Sequence, residues 1–335
     1  MNALRISVAL CTYNGAPFLG EQLESIAAQT RQPDELVVFD DRSADGTPDI
    51  LREFGAKARF PVRLNFNPEN VGSTKNFERA IRACSGDVIA LSDQDDVWLP
   101  EKLARTEAVF DASPEVGLVF SDGAVVDAEL RPLGHRLWQA FLFKPRLQRR
   151  LREGRATEVL LKYNVVTGAT MAFRSRHIPL ILPIPEGVVH DWWIALLISF
   201  VAPLMMIPAP LVRYRQHGGN QIGGARLDWS VSVGRARGIG GEVFREVADG
   251  YRAAYDRIRS CAGPLCRENL VAMLCEKIRH FEARGSLPGT IFGRLPTVFG
   301  ELASLRYHRY SLGMKSFFKD LFLHRSVPPR ETGTR

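Results

Sequence analysis

The chain has 335 residues, 45% hydrophobic and 24% charged, an ordinary globular balance that excludes a disordered or low-complexity polymer and allows one large or two unequal domains. No run reaches the roughly 20 apolar residues that span a bilayer, and the nearest, Ile194 to Leu211, is broken by Pro203, Pro208 and Pro210. The net charge of +7 is uneven: residues 225–335 hold 19 Lys and Arg against 11 Asp and Glu, and residues 1–224 hold 25 against 26.

The first 120 residues alternate β-rich runs with helical patterns, which predicts a mostly parallel twisted sheet flanked by helices. Strands are expected at Ile6–Cys11, Glu35–Asp40, Val62–Asn67, Val88–Ser92 and Val116–Ser121. Helices are expected between them at Phe18–Gln29, Pro48–Phe54, Ser73–Cys84 and Glu101–Ala112, with Thr47-Pro48 as a cap followed by a first-turn proline. Leu130 to Arg155 is irregular and basic, and predicts a connecting loop or short helix. Val165–Phe173 and Met205–Tyr214 then suggest later strands around a helix at Asp191–Phe200. A boundary is expected near residue 225, dividing an α/β domain, 1–224 (halves 1–121 and 122–224), from a helical basic region with amphipathic patterns at Val243–Ser260 and Arg267–Arg284.

Cys11, Cys84, Cys261, Cys266 and Cys275 are odd in number and lack the paired spacing of a zinc site. Together with the absence of a charged-then-apolar leader before Ile6, they give the expectation of a reducing, cytoplasmic setting.

In open α/β sheets ligands bind beyond the carboxyl ends of strands, and three polar clusters fall there. Thr12-Tyr13-Asn14 follows the first strand, Asp40-Asp41-Arg42-Ser43 ends the second, and Asp93-Gln94-Asp95-Asp96 ends the fourth. Three carboxylates within four positions repel one another unless a cation lies among them, and hard divalent ions take oxygen ligands. An acidic turn capping the following helix fits the same residues. A carboxylate at Asp40 or Asp41 suits a nucleobase N–H or a ribose hydroxyl, while Ser43, Asp45-Gly46 and Thr47 also suit a plain turn and cap.

Four motifs in this order, Thr12-Tyr13-Asn14, Asp40 to Thr47, Asn70-Val71-Gly72 with Asn76, and Asp93 to Trp98 with Pro100, resemble the nucleotide-sugar-binding half of family 2 glycosyltransferases of the GT-A fold. Further on, Gly168-Ala169-Thr170-Met171 resembles the family's acceptor-side loop, His190-Asp191 stands where it usually has Glu-Asp, and Tyr214-Arg215-Gln216-His217 with Asn220 is similar to its histidine motif. The likeness covers roughly residues 4 to 223.

The resemblance implies inverting transfer of a sugar from a nucleoside-diphosphate donor to a hydroxyl acceptor, with Mg²⁺ or Mn²⁺. It implies metal and donor contacts for Asp93 and Asp95, nucleoside contacts for Thr12, Tyr13, Asn14, Asp40 and Asp41, and donor-side places for Asn70, Lys75 and Asn76. Asp191 would be the general base, although it also suits a helix N-cap. His217 would be a metal ligand or a diphosphate hydrogen-bond partner, in a loop with Gln216 and Asn220 that closes over the donor. Gly168, His190 and Trp193 would lie on the acceptor side, Trp193 against a sugar ring or else in the core.

The Asp-Gln-Asp-Asp-Val-Trp variant resembles members that build bacterial surface polysaccharide or glycolipid, rhamnose-transferring ones included, so the acceptor is expected to be a saccharide or lipid-linked saccharide. The basic C-terminal region, with Arg235, Arg237, Arg245, Arg252, Arg257, Arg259 and the segment Phe317 to Phe322, suits peripheral contact with the cytoplasmic face of an anionic inner membrane. A solvated helical face with a docking tail fits the same pattern. No nucleic-acid partner is expected, given the acidic rim. A sugar nucleotidyltransferase would need a Gly-rich basic loop after the first strand, where this chain has Thr12-Tyr13-Asn14-Gly15-Ala16-Pro17. A catalytically idle sugar-nucleotide-binding protein is the remaining alternative, against which the presence of Asp191 counts.

Overall fold

The computed structural model describes residues 3–218, 241–261 and 267–322. Contacts divide the chain into two units, one of residues 1–156 with 164–226 and one of residues 157–163 with 227–335. The boundary expected near residue 225 lies outside the described residues, and the short stretch 157–163 groups with the helical unit.

The first unit is built on one nine-stranded sheet. Its strands are β1 (Ile6–Thr12), β2 (Glu35–Asp40), β3 (Val62–Phe66), β4 (Val88–Ser92), β5 (Val97–Trp98), β6 (Leu118–Val126), β7 (Pro132–Arg136), β8 (Met171–Arg174) and β9 (Leu204–Arg215). They lie in the order β3-β2-β1-β4-β8-β6-β9-β5, with β7 hydrogen-bonded to β6. The first four are parallel, in a register that sets Thr12 beside Asp40 and Leu10 beside Ser92. Helices α1 (Ala16–Ala27), α2 (Thr47–Lys57), α3 (Ser73–Ala83) and α4 (Lys102–Ala112) make the crossovers.

Because side chains alternate across a strand, Ile6, Val8 and Leu10 of β1, Leu36 and Val38 of β2, and Val88 and Ala90 of β4 share one face. There they bury Leu19, Leu23 and Ile26 of α1, Leu51 of α2 and Leu103 and Phe110 of α4. With the sheet pinned on this core, the polar residues that end β1, β2 and β4 are carried to the same rim.

Beyond β4 the sheet becomes mixed: β8 runs antiparallel to both β4 and β6, and β5 antiparallel to β9. The strand expected over Val165–Phe173 is shorter, because Asn164 folds its amide onto the backbone of Val166 and Gly168–Thr170 makes a single 3-10 turn before β8. Pro208 and Pro210 sit inside β9, where its register against β6 slips between Ser121 and Gly123; a bulge is where a strand can lose a backbone donor. Leu130 to Arg155, expected as a loop or short helix, contains the short helices Leu137–Ala140 and Pro145–Arg152 and, in addition, β7.

The second unit contains the helices Gly241–Cys261, Glu268–Gly285, Ile291–Ala303, Arg306–Tyr310 and Met314–Phe322. Leu287, Val298, Tyr307, Phe317 and Leu321 form a core. A buried polar network runs beside it: Arg284 donates to both carboxylate oxygens of Asp320 at 2.6 and 3.0 Å, and the Tyr307 hydroxyl donates to the same carboxylate at 2.9 Å. Asp320→Ala strands the Arg284 charge in the interior, and should cost about 3–5 kcal/mol, read as a lower urea midpoint for the full chain.

Part of the basic character expected to face a membrane is spent inside this unit. Arg252 pairs with Asp249 and Glu282, and Arg259 with Glu268. Arg235 and Arg237 lie outside the described residues. Among the described residues no helix is long and apolar enough to cross a membrane.

Candidate active site

The rim opens into a cavity of about 760 Å³, within the range of small-molecule sites. Thr12, Tyr13, Asp41, Asn70, Asn76, Asp93 and Asp95 line one part of it, and Gly168, His190 and Asp191 another. Strand register explains the first group; the turn before β8 and the helix His190–Val201 supply the second.

The loops after β1 and β2 are laced together. Asp40 is buried, accepting from the Thr12 hydroxyl at 2.8 Å and the Ser43 amide at 2.9 Å. Asn14 takes a hydrogen bond from Ala44 N at 2.9 Å and gives one to Ser43 Oγ at 2.8 Å. Thr47, expected to cap α2, instead accepts from Gly15 N at 2.9 Å, leaving Gly46 at the cap. Asp40 and Asn14 are therefore drawn into loop-to-loop bonds, and neither lines the cavity. Asn14 and Arg42 hold left-handed φ of 47° and 62°, backbone strain of the kind found where loops are fixed around a ligand.

Asp41 reaches the cavity while gathering its neighbours: it accepts from Val71 N and Gly72 N, both at 2.9 Å, and from the Asn67 amide at 2.8 Å. Asn76 donates to Phe39 O at 2.8 Å. Lys75 turns away, to Glu78 at 3.0 Å and Ile184 O at 2.7 Å, and does not line this cavity. The helical spacing that aims Asn76 at the sheet aims its neighbour elsewhere.

Gln94, the one uncharged member of its motif, pairs with the Tyr13 backbone through both amide ends, accepting from Tyr13 N at 2.8 Å and donating to Tyr13 O at 3.0 Å. A Cβ on Gly15 would strike this amide, so glycine there keeps the two loops in register. The Tyr13 side chain stays 49% exposed.

Asp93, Asp95 and Asp96 end in three environments. Asp96 is buried and accepts from Arg215 N at 3.0 Å, and its second oxygen has no partner among the described residues. Asp95 meets His217 Nε2 at 2.8 Å, while Arg215 Nε holds the Asp95 carbonyl at 2.7 Å. Asp93 has its carboxyl pushed up to about 7, first by burial and then by the charges of Asp95 and Asp191. Lys102 lies beneath, its Nζ 3.3 Å from the centre of the Trp98 ring, its charge disfavoured by burial.

A carboxylate cluster that raises its own pKa in this way favours a cation, and its oxygen donors with one imidazole suit a hard divalent ion. Among the described residues no three His, Cys, Asp or Glu side chains converge to hold a metal by themselves. Such an ion would rest on Asp93, Asp95 and His217 only with further oxygen ligands from a bound molecule.

Asp191 lies in the first turn of the helix His190–Val201, with Val189 at the cap, so its carboxylate is directed to the cavity and not spent on capping. It accepts from Asn164 Nδ2 at 3.2 Å and Gly168 N at 3.3 Å, and burial lifts it to about 6 against those bonds. Asn164 carried no motif that would have singled it out 27 residues from its partner. A Cβ on Gly168 would lie 3.0 Å from His190 Nε2, so glycine is what lets this turn close on His190 and Asp191.

His190 stacks on Phe77 at 4.1 Å, and neither ring nitrogen has a hydrogen-bond partner among the described residues. Burial lowers its pKa to about 4, leaving a neutral imidazole at the cavity wall. Of the two places weighed for Trp193, an acceptor sugar or the core, it takes the core: it is 0% exposed and donates to Ile181 O at 2.8 Å. The helix turns Trp192 to the cavity instead, one residue being a rotation of about 100°. Gln216 is absent from the cavity lining, its backbone N–H bound to Val126 O at 2.8 Å, and Asn220 lies outside the described residues.

A parallel half-sheet ending in a polar rim, extended by antiparallel strands and joined by a helix that carries a further carboxylate to the same cleft, is a GT-A architecture. Residues 7–174 match Glycosyl transferase family 2, half of the chain, and the chain belongs to that family. An uncharacterized protein of Mycobacterium tuberculosis is 28% identical over 222 residues, 63% of this chain and 59% of that one, so the chain spans about three-fifths of the length of this relative. The dTDP-rhamnosyl transferase RfbG of Shigella flexneri is 36% identical over 100 residues, 28% of this chain and 34% of that one. Among solved structures, the mannosyltransferase PcManGT from Pyrobaculum calidifontis, in complex with GDP-Man and Mn²⁺, is similar in fold with a TM-score of 0.53 and 20% identity, over 91% of this chain and 76% of that one.

Proposed function

We propose that the chain is an inverting glycosyltransferase that moves a sugar from a nucleoside diphosphate to a hydroxyl of a saccharide or lipid-linked saccharide, supported by Mg²⁺ or Mn²⁺, on the cytoplasmic side. The observation that carries this reading is that Asp191 opens into the same cavity as Asp93 and Asp95. A base and a cation-favouring cluster in one cleft are the two things a direct displacement needs.

In this reading the exposed Tyr13 ring meets the nucleobase, and Asp41 with the Asn70 loop borders the nucleoside. Asp93, Asp95 and His217 would hold a divalent ion together with the donor's diphosphate. A bound ion supplies neutralisation of the charge that builds on the departing diphosphate. Asp191 takes the proton of the acceptor hydroxyl as that oxygen bonds to the anomeric carbon. The bond from that carbon to the diphosphate breaks on the opposite face, so one displacement inverts the centre. Asn164 and Gly168 N keep the carboxylate oriented during the transfer.

With Asp191 held at about 6, the base is protonated and idle below that pH. kcat/KM should rise about tenfold per pH unit up to near 6 and then level off, a profile readable from nucleotide release.

The two unpartnered nitrogens of His190, beside Asp191, support a place for it on the acceptor side as one donor and one acceptor to sugar hydroxyls. His190→Phe keeps a ring against Phe77 but loses both groups; acceptor KM should rise about tenfold with donor affinity unchanged.

The likeness to RfbG supports a dTDP-linked deoxysugar, rhamnose first, and a role in surface polysaccharide or glycolipid synthesis. A panel of UDP-, dTDP- and GDP-sugars with Mg²⁺ or Mn²⁺, scored by nucleotide release and by protection from thermal unfolding, tests the proposal. Protection without release under every acceptor tried would favour an idle binding protein. Absence of both would end the reading.

A further inference from the structure

The helix Met314–Phe322 has two unlike faces. Phe317 and Leu321 point into the core, whereas Met314, Phe318 and Phe322, at i, i+4 and i+8, are exposed, the last two at 51% and 56%. The Phe318 and Phe322 rings stack with centroids 6.3 Å apart, and Phe318 continues through Phe317 to Phe299, which is itself exposed on the helix Ile291–Ala303. One turn pair earlier on that helix, Phe292 is 85% exposed. Five large apolar side chains thus share two helices that pack together, a pattern that isolated surface leucines or phenylalanines do not make.

The charges exposed on these two helices have one sign. The described residues 286–322 contain five Lys and Arg against two acidic residues; Arg294 is buried, and Arg306 and Arg309 pair with Glu301 and Glu276, which leaves Lys315 and Lys319 beside the phenylalanines. The two acids among the described ones, Glu301 and Asp320, are buried and bonded to His280 and Arg284. Lys315 is exposed next to Met314, and Lys319 is partly exposed next to Phe318.

We propose that this face of the second unit docks on an anionic lipid bilayer, its phenylalanines entering the headgroup boundary and its lysines meeting lipid phosphates. An apolar stripe bordered by cations, with the acids withdrawn inside, is complementary to such a surface. It keeps Phe318, Lys319 and Phe322 of the segment that sequence suggests, loses Phe317 and Leu321 to the core, and gains Met314, Phe292 and Phe299. The proposal does not rest on any role in the catalytic cleft.

The test is co-sedimentation of the full chain with phosphatidylcholine vesicles, with and without phosphatidylglycerol. Binding is expected to the anionic vesicles only, and to weaken with salt. Phe318→Ser with Phe322→Ser should lower partitioning about tenfold or more, and Lys315→Glu should lower it only where phosphatidylglycerol is present. Both side-chain sets are at the surface, so thermal unfolding should match the parent chain. Equal binding to neutral vesicles, no binding to either, or unchanged partitioning of the serine variant would overturn the proposal. So would a dimer in analytical ultracentrifugation that the serine substitutions dissolve, since the face would then be covered by a second copy.

Discussion

Asp191→Asn is expected to stop sugar transfer while leaving the donor bound. The substitution keeps the shape of the side chain, and its amide oxygen can still accept from Gly168 N and stay in place beside Asn164. What it removes is the capacity to take a proton. General-base catalysis of this kind contributes about 10²- to 10⁴-fold, so kcat should fall by that factor with the donor KM little changed. The rise in rate near pH 6 should vanish with it, since Asp191 is the group lifted to about 6. A variant that loses donor affinity to the same degree as turnover would place this carboxylate on the donor, and the mechanism would need another base.

Asp95→Ala should have the opposite signature. The loop remains held, because Arg215 grips the Asp95 carbonyl and Gln94 grips Tyr13, and both contacts survive truncation of the side chain. The carboxylate that meets His217 is gone. Metal-supported donor affinity should drop at least about 100-fold, with the protection from heat that donor and Mn²⁺ give together abolished. The chain without ligands should melt no lower than the parent, since one of the like charges that raise the Asp93 pKa has been removed. If the donor still protects Asp95→Ala in a metal-dependent way, the ion is held elsewhere. Asp96 is not an equivalent target: it is buried under Arg215 N, and its loss should act on stability first.

Local patterning along the chain is enough to place the parallel half of the sheet and the polar rim. β2 and β4 fall on the expected residues, and β1, β3 and the first four helices within a few, because apolar alternation and bounding turn residues are local signals that the register of a parallel sheet preserves. The sequence also brought forward Asp93, Asp95, His217 and Asp191 as a set, and tertiary structure joined His217 to Asp95 and Asp191 to their cavity.

Which of two neighbours faces the cavity depends on packing in three dimensions. Trp192 against Trp193, Asp41 against Asp40 and Asn76 against Lys75 are adjacent residues of suitable chemistry, separated by a helical rotation or a strand alternation whose phase is set by what packs behind them. Thr47 likewise has the composition of a cap, yet bonds Gly15 across 32 residues. Gln94, Asn164 and Arg215 hold Tyr13, Asp191 and Asp95 at the cavity through backbone and side-chain hydrogen bonds made across at least 27 positions. Residue type proposes a hydrogen-bond donor or acceptor, and chain topology chooses its partner, because the pairing depends on distance in space and not on separation along the chain.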